Sequence, residues 1–92
     1  MKINVTRECI RKGNPSSPDS CPIALALKSH GVPFLGVISD LIETSDFSVD
    51  FILPLKAQRF IEDFDTEVKV KPFSFNIPKK VIKNFRRANA QT

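Results

Sequence analysis

The stretch Asp19-Ser20-Cys21-Pro22-Ile23-Ala24-Leu25-Ala26-Leu27-Lys28-Ser29-His30-Gly31 decides how the rest of the chain must fold. Cys21, Ile23, Ala24, Leu25, Ala26 and Leu27 are apolar nearly all the way round a helical wheel. A helix of that kind needs cover on several sides. Asp19 or Ser20 is the expected N-cap, and Pro22 fits the first turn, where a missing N–H costs nothing. Lys28 suits the negative end of the helix, and Gly31 ends it.

The cover must come from the flanking segments. On the N-terminal side, Lys2–Val5 reads as a strand. Thr6 caps a short helix over Arg7–Lys12, with Glu8 in its first turn and Gly13 at C′. Asn14–Ser20, with two prolines, is a polar connecting loop open to a partner. On the C-terminal side, Phe34–Ile38 and Leu41–Glu43 read as strands around a bend near Ser39-Asp40. Phe47–Leu53 alternates apolar and polar residues. Pro54 opens a helix with Ala57, Phe60, Ile61 and Phe64 as its apolar stripe. Val68 and Val70 alternate with Lys69 and Lys71, and Phe73, Phe75 and Ile77 continue the pattern. Pro72 breaks the phase, giving either one edge strand with a bulge or two short strands. Pro78 opens a last helix with Val81, Ile82, Phe85 and Ala88 on its apolar side. The expected fold is α+β: a small antiparallel sheet of three to four strands against two to three short helices, with a basic C-terminal helix or tail over 79–92.

At 92 residues the chain reads as one domain with a modest core. All eight aromatic residues are Phe, which has no polar tip, so most of the rings belong inside. No apolar run spans a bilayer and no secretory signature precedes the first strand, so the expected location is the cytoplasm, with no membrane partner. Cys9 and Cys21 are then expected as reduced, buried thiols. A single histidine, His30, leaves too few ligands for a zinc site within one chain. The three glycines are scattered, so there is no phosphate-binding glycine loop. His30 is the only imidazole available to a catalytic dyad, and its place at a helix end suits capping or solvent better. These absences argue for a binding protein without cofactor rather than an enzyme.

Charge is sorted into blocks. Residues 1–39 hold five bases and two acids, residues 40–67 two bases and eight acids, and residues 68–92 seven bases and no acid, against a net charge of +4 overall. Polarised charge steers and orients charged partners. Lys79, Lys80, Lys83, Arg86 and Arg87 fall on one side of the last helix, a stripe suited to a phosphate backbone or to partner carboxylates. Lys69 and Lys71 extend it. The stripe has no free aromatic ring, so phosphate contact without base readout is expected. Asp40, Glu43, Asp46 and Asp50 with Glu62, Asp63, Asp65 and Glu67 form an acidic set. That set is a solvated surface, a divalent-ion site, or a phosphate-like face for a basic groove.

Cys21-Pro22-Ile23-Ala24-Leu25-Ala26-Leu27, together with Leu53-Pro54, Phe60-Ile61, Phe64-Asp65, Val70 and Pro72-Phe73-Ser74-Phe75, carries a resemblance. With the Ile3-Asn4-Val5-Thr6 start, about two-thirds of the chain resembles a family of small phage and prophage proteins. Some members have a second cysteine three residues before the Cys-Pro. Here Pro18 stands there, which argues further against a metal or redox role. Size and charge polarity also resemble anti-CRISPR proteins of the type I-F class. That resemblance implies a non-enzymatic inhibitor that binds an RNA-guided surveillance complex of the host and blocks target DNA, with guide RNA or DNA phosphates as contacts. A stand-alone nucleic-acid-binding regulator is the alternative.

Overall fold

The computed structural model describes residues 1–38, 40–44 and 50–90, with side chains through Ala88. Its order is β1 (Lys2–Val5), α1 (Arg7–Lys12), α2 (Pro22–Ser29), β2 (Gly36–Ile38), β3 (Leu41–Glu43), β4 (Phe51–Ile52), α3 (Leu55–Asp65), β5 (Phe73–Asn76) and α4 (Lys79–Ala90). The protein is α+β. Its strands fall into two small antiparallel sheets, β1 with β5, and the meander β2-β3-β4. The radius of gyration, 12.3 Å, is that of a compact single unit of this length.

α2 lies at the centre, as its sequence requires. Ile23, Ala24, Ala26 and Leu27 are completely buried. α1, β1 and β2 all pack on it. β1 alternates, turning Ile3 and Val5 inward, and Ile3 pairs with the equally buried Phe75 of β5. In the meander, Val37, Ile42 and Phe51 form one cross-strand row, against the core. Ile38, Leu41 and Ile52 form the other row, on the outer face. From α3, Ala57, Phe60 and Ile61 enter the core; from α4, Ile82, Phe85 and Ala88 do so.

The N-cap of α2 differs from the expectation. Neither Asp19 nor Ser20 fills it. The hydroxyls of Ser17 and Ser20 donate to Asp19 Oδ1 at 3.1 and 3.2 Å, which lowers the Asp19 pKa. The cap is Cys21, whose Sγ accepts from the Ala24 N–H at 3.4 Å inside the core. At the other end, Gly31 and Val32 donate back to Lys28 and Leu27, closing a Schellman turn with Gly31 at φ 71°. α3 ends in the same turn. Glu67 N–H donates to Phe64 and Val68 N–H to Asp63, but C′ is here a non-glycine residue, Glu67, at φ 65°.

That second Schellman turn also corrects the expected strand over Val68–Lys71. Val68 is drawn back to α3, and Pro72 offers no N–H to a ladder. The segment runs without regular structure to β5. The strands expected at Phe34–Ile38 and Phe47–Leu53 are shorter, at Gly36–Ile38 and Phe51–Ile52, and Phe47–Val49 lie outside the described residues.

The Asn14–Ser20 loop is tied down rather than free. Pro18 carbonyl accepts from Val37 N–H at the edge of β2, and Ser16 N–H donates to Asp65 Oδ1, both at 2.8 Å. Gly13 is present for space, not for a left-handed turn. Its φ is −71°, and a Cβ there would lie 2.7 Å from the Pro22 ring. Overpacking of that kind costs about 1–3 kcal/mol. Gly13→Ala is therefore expected to lower stability by about 2 kcal/mol in urea unfolding, because Pro22 is fixed against α2. Glu67→Gly should do the opposite, raising stability by up to about 1 kcal/mol as the left-handed strain is relieved.

Candidate nucleic-acid interface

α4 carries the first basic surface. With Val81, Ile82, Phe85 and Ala88 facing inward, Lys79, Lys80, Lys83, Arg86 and Arg87 all lie exposed on the remaining arc. Lys79, Lys83 and Arg86, one above another on successive turns, line a groove of about 400 Å³ floored by Ile82 and Met1. Lys80 and Arg87 stand on the far side of the same arc. The expected stripe is therefore formed, and it is helical.

The second basic surface was not foreseen as a unit. α3 divides charge between its two flanks. On one flank Lys56 and Arg59 face Lys69 and Lys71 of the 68–72 segment across a cleft of about 460 Å³. The floor is apolar, from Phe60 and Phe73, whose rings meet at 4.8 Å. Two cations from the acidic block of the sequence thus join two from the basic block. A helical wheel of Leu55–Asp65 holds the signal, since residues 56, 59 and 63 share a flank that excludes 58, 62 and 65. Asp63 sits in this basic cleft, not with the other acids. Even so, the ion pairs among the described residues are those of Glu8, with Arg11 at 2.7 Å and Lys12 at 2.9 Å on α1. Those two cations hold Glu8 at a pKa of about 2. The cations of α4 and of the α3 cleft have no carboxylate partner among the described residues.

The acidic set is divided. Asp40 and Glu62 share a cleft of about 420 Å³ with Asp65 on the opposite flank of α3. Asp65 is engaged by Ser16. Asp50 is also engaged internally, its Oδ1 accepting from Thr44 N–H at 2.8 Å and from the Thr44 hydroxyl at 3.2 Å. Glu43 is half-buried on β3, away from that cleft, and Asp46 lies outside the described residues. The continuous acidic face reduces to Asp40 and Glu62. Among the described residues, no three His, Cys, Asp or Glu side chains gather as a metal site would require.

Neither thiol is part of a reactive group. Cys9 and Cys21 are free and buried, and Thr6 Oγ1 accepts from Cys9 N–H as the cap of α1. His30 neither caps carbonyls with its ring nor stands free. Its Nε2 accepts from the Asn4 N–H at 3.1 Å, joining the end of α2 to the outer edge of β1. No helix among the described residues is long and apolar enough to cross a membrane.

No family model, curated protein or solved structure matches the chain.

Burial pushes the Cys21 thiol above its ordinary range, with the nearby Asp65 carboxylate adding to the shift. The folded protein then keeps a proton that the unfolded chain releases. This stabilisation is full below the unfolded value and is lost as pH rises past about 9 toward the folded value. Thermal melts of the native chain are expected to fall more steeply above pH 9 than those of Cys21→Ala, after correction for the neutral-pH loss in that variant.

Proposed function

We propose that this chain is a non-enzymatic interaction protein that binds a nucleic-acid-handling complex and obstructs the access of nucleic acid to it. One observation carries the reading: two exposed clusters of cations, none of them in an ion pair among the described residues, stand apart from an acidic cleft on the far flank of α3. Lys79, Lys80, Lys83, Arg86 and Arg87 meet phosphates of guide or target, or carboxylates of the partner. Lys69 and Lys71 add to the phosphate contacts. Asp40 and Glu62 meet a basic surface on the partner. An RNA-guided CRISPR surveillance complex of type I-F, in the cytoplasm of a host cell, is the partner to test first, following the sequence resemblance.

A second reading rests on the α4 stripe alone. Five cations on one helical arc are enough for a stand-alone regulator that tracks a phosphate backbone. The two readings separate in a gel-shift series at physiological salt. The inhibitor removes the shift of duplex target by the surveillance complex without shifting the duplex itself. The regulator shifts the duplex alone. No effect in either set of lanes removes both readings.

Lys83→Glu, Arg86→Glu and Arg87→Glu together should weaken binding in either case and leave the melting curve near that of the native chain, since all three side chains are exposed. If phosphates are the contacts, the slope of log affinity against log salt should drop by about 3, one for each contact removed. Unchanged affinity removes α4 from the interface.

A further inference from the structure

The α3 cleft offers more than charge. We propose that the cleft between α3 and the 68–72 segment binds single-stranded nucleic acid, seating one unpaired base on its apolar floor while Lys56, Arg59, Lys69 and Lys71 hold the flanking phosphates. This rests on the reading of the protein as a phosphate-binding module and adds a substrate class and a second site to it.

Three observations carry the inference. The first is composition. Four exposed cations from two separate segments rim one cleft against a single acid, Asp63, and among the described residues none of the cations is committed to an ion pair. The second is the floor. Phe73 is only half-buried. It meets Phe60 at 4.8 Å with a 36° tilt, which fixes the ring while part of it faces the cleft. Leu55 stands beside it with 60% of its surface exposed, a large apolar side chain at the mouth of a charged site. A base needs such a flat, rigid, apolar support, and stacking on it is worth about 1–3 kcal/mol. The third is size. The cleft holds about 460 Å³, within the roughly 300–1,000 Å³ range of small-ligand sites, enough to admit one nucleotide. A duplex presents its phosphates to the rim but keeps its bases from the floor. The α4 groove, floored by Ile82 and Met1, offers no aromatic ring and makes no such distinction.

The experiment is fluorescence anisotropy of the full chain with a labelled oligothymidylate and with a duplex of equal phosphate number. The variants are Phe73→Leu, which removes the ring but keeps an apolar side chain over Phe60, and Lys69→Gln with Lys71→Gln. Thermal melts verify that each is folded. The native chain should bind the single strand about tenfold more tightly than the duplex, which under the inhibitor reading is held too weakly to shift in a gel. Phe73→Leu should abolish that preference while leaving duplex binding unchanged. The lysine pair should weaken single-strand binding by about tenfold and reduce its salt slope by about 1.4, two contacts at the single-strand value. Equal affinity for the two nucleic acids, or a Phe73→Leu variant that keeps the preference, overturns the inference. If the α4 triple variant loses binding while the cleft variants retain the native affinities, the phosphate-binding reading stands and this cleft is removed from it. If neither nucleic acid binds, the inference and its phosphate-binding basis fall together, and the gel-shift series then judges the protein contacts alone.

Discussion

The need to cover α2 on every side governs the fold. An eight-residue helix with Ile23, Ala24, Ala26 and Leu27 wholly buried cannot lie on a surface. α1 and β1 take one part of its circumference and β2 another. β5 completes β1, and the rest of the core gathers Phe60, Ile61, Ile82 and Phe85 around this nucleus. The close approach has local consequences. Pro22 sits so near Gly13 that no side chain fits there, and the atom that caps α2 is a buried thiol. A sulfur acceptor is a weaker cap than the serine one residue earlier. It caps because Ser20 directs its hydroxyl to Asp19 Oδ1 instead.

α3 performs a different task. It uses one face for the core and leaves two flanks of opposite character, Lys56 and Arg59 on one, Glu62 and Asp65 on the other. The loops that fix its surroundings draw on acids that read as functional in the sequence. Asp65 holds the 14–20 loop through Ser16 N–H, and Asp50 holds Thr44. Both bonds satisfy backbone donors outside the ladders and helices; Ser16 is exposed, whereas at buried Thr44 an unmet donor would cost more than a surface charge contributes.

Much of this was legible because periodicity and caps act locally. The stripe Ala57, Phe60, Ile61, Phe64 defined α3, Thr6 defined the start of α1, and Gly31 the end of α2. The division of the strands between two sheets was not legible, since pairing of β1 with β5 joins residues near opposite ends of the chain, such as Lys2 with Asn76. The failure at Val68–Lys71 has a similar origin. Alternation there is real in the sequence, but the Schellman turn at Glu67 commits Val68 to α3, and among the described residues no strand pairs with the segment. The α4 surface was visible because its five cations fall within one helix. The α3 cleft was not, because it takes cations from two segments that the linear charge pattern assigns to opposite blocks.

The cations of α4 weaken the isolated helix rather than support it. Lys79 and Lys80 occupy the first turn, where the helix dipole is positive and no acid is present to offset it. Each such cation costs about 0.3–1 kcal/mol at low ionic strength. Lys79 and Lys83, and Lys83 and Arg87, are i, i+4 neighbours, with Cβ atoms about 5–6 Å apart, which adds about 0.2–0.5 kcal/mol of repulsion per pair. That spacing is shorter than the Debye length of about 8 Å at physiological salt, so screening does not remove the repulsion. Only Arg86 and Arg87, toward the negative end, oppose this trend. Helix stability alone would favour acids at positions 79 and 80. A polyanion laid along the arc reverses the balance, because the same crowding that destabilises the free helix concentrates positive potential where phosphates would lie.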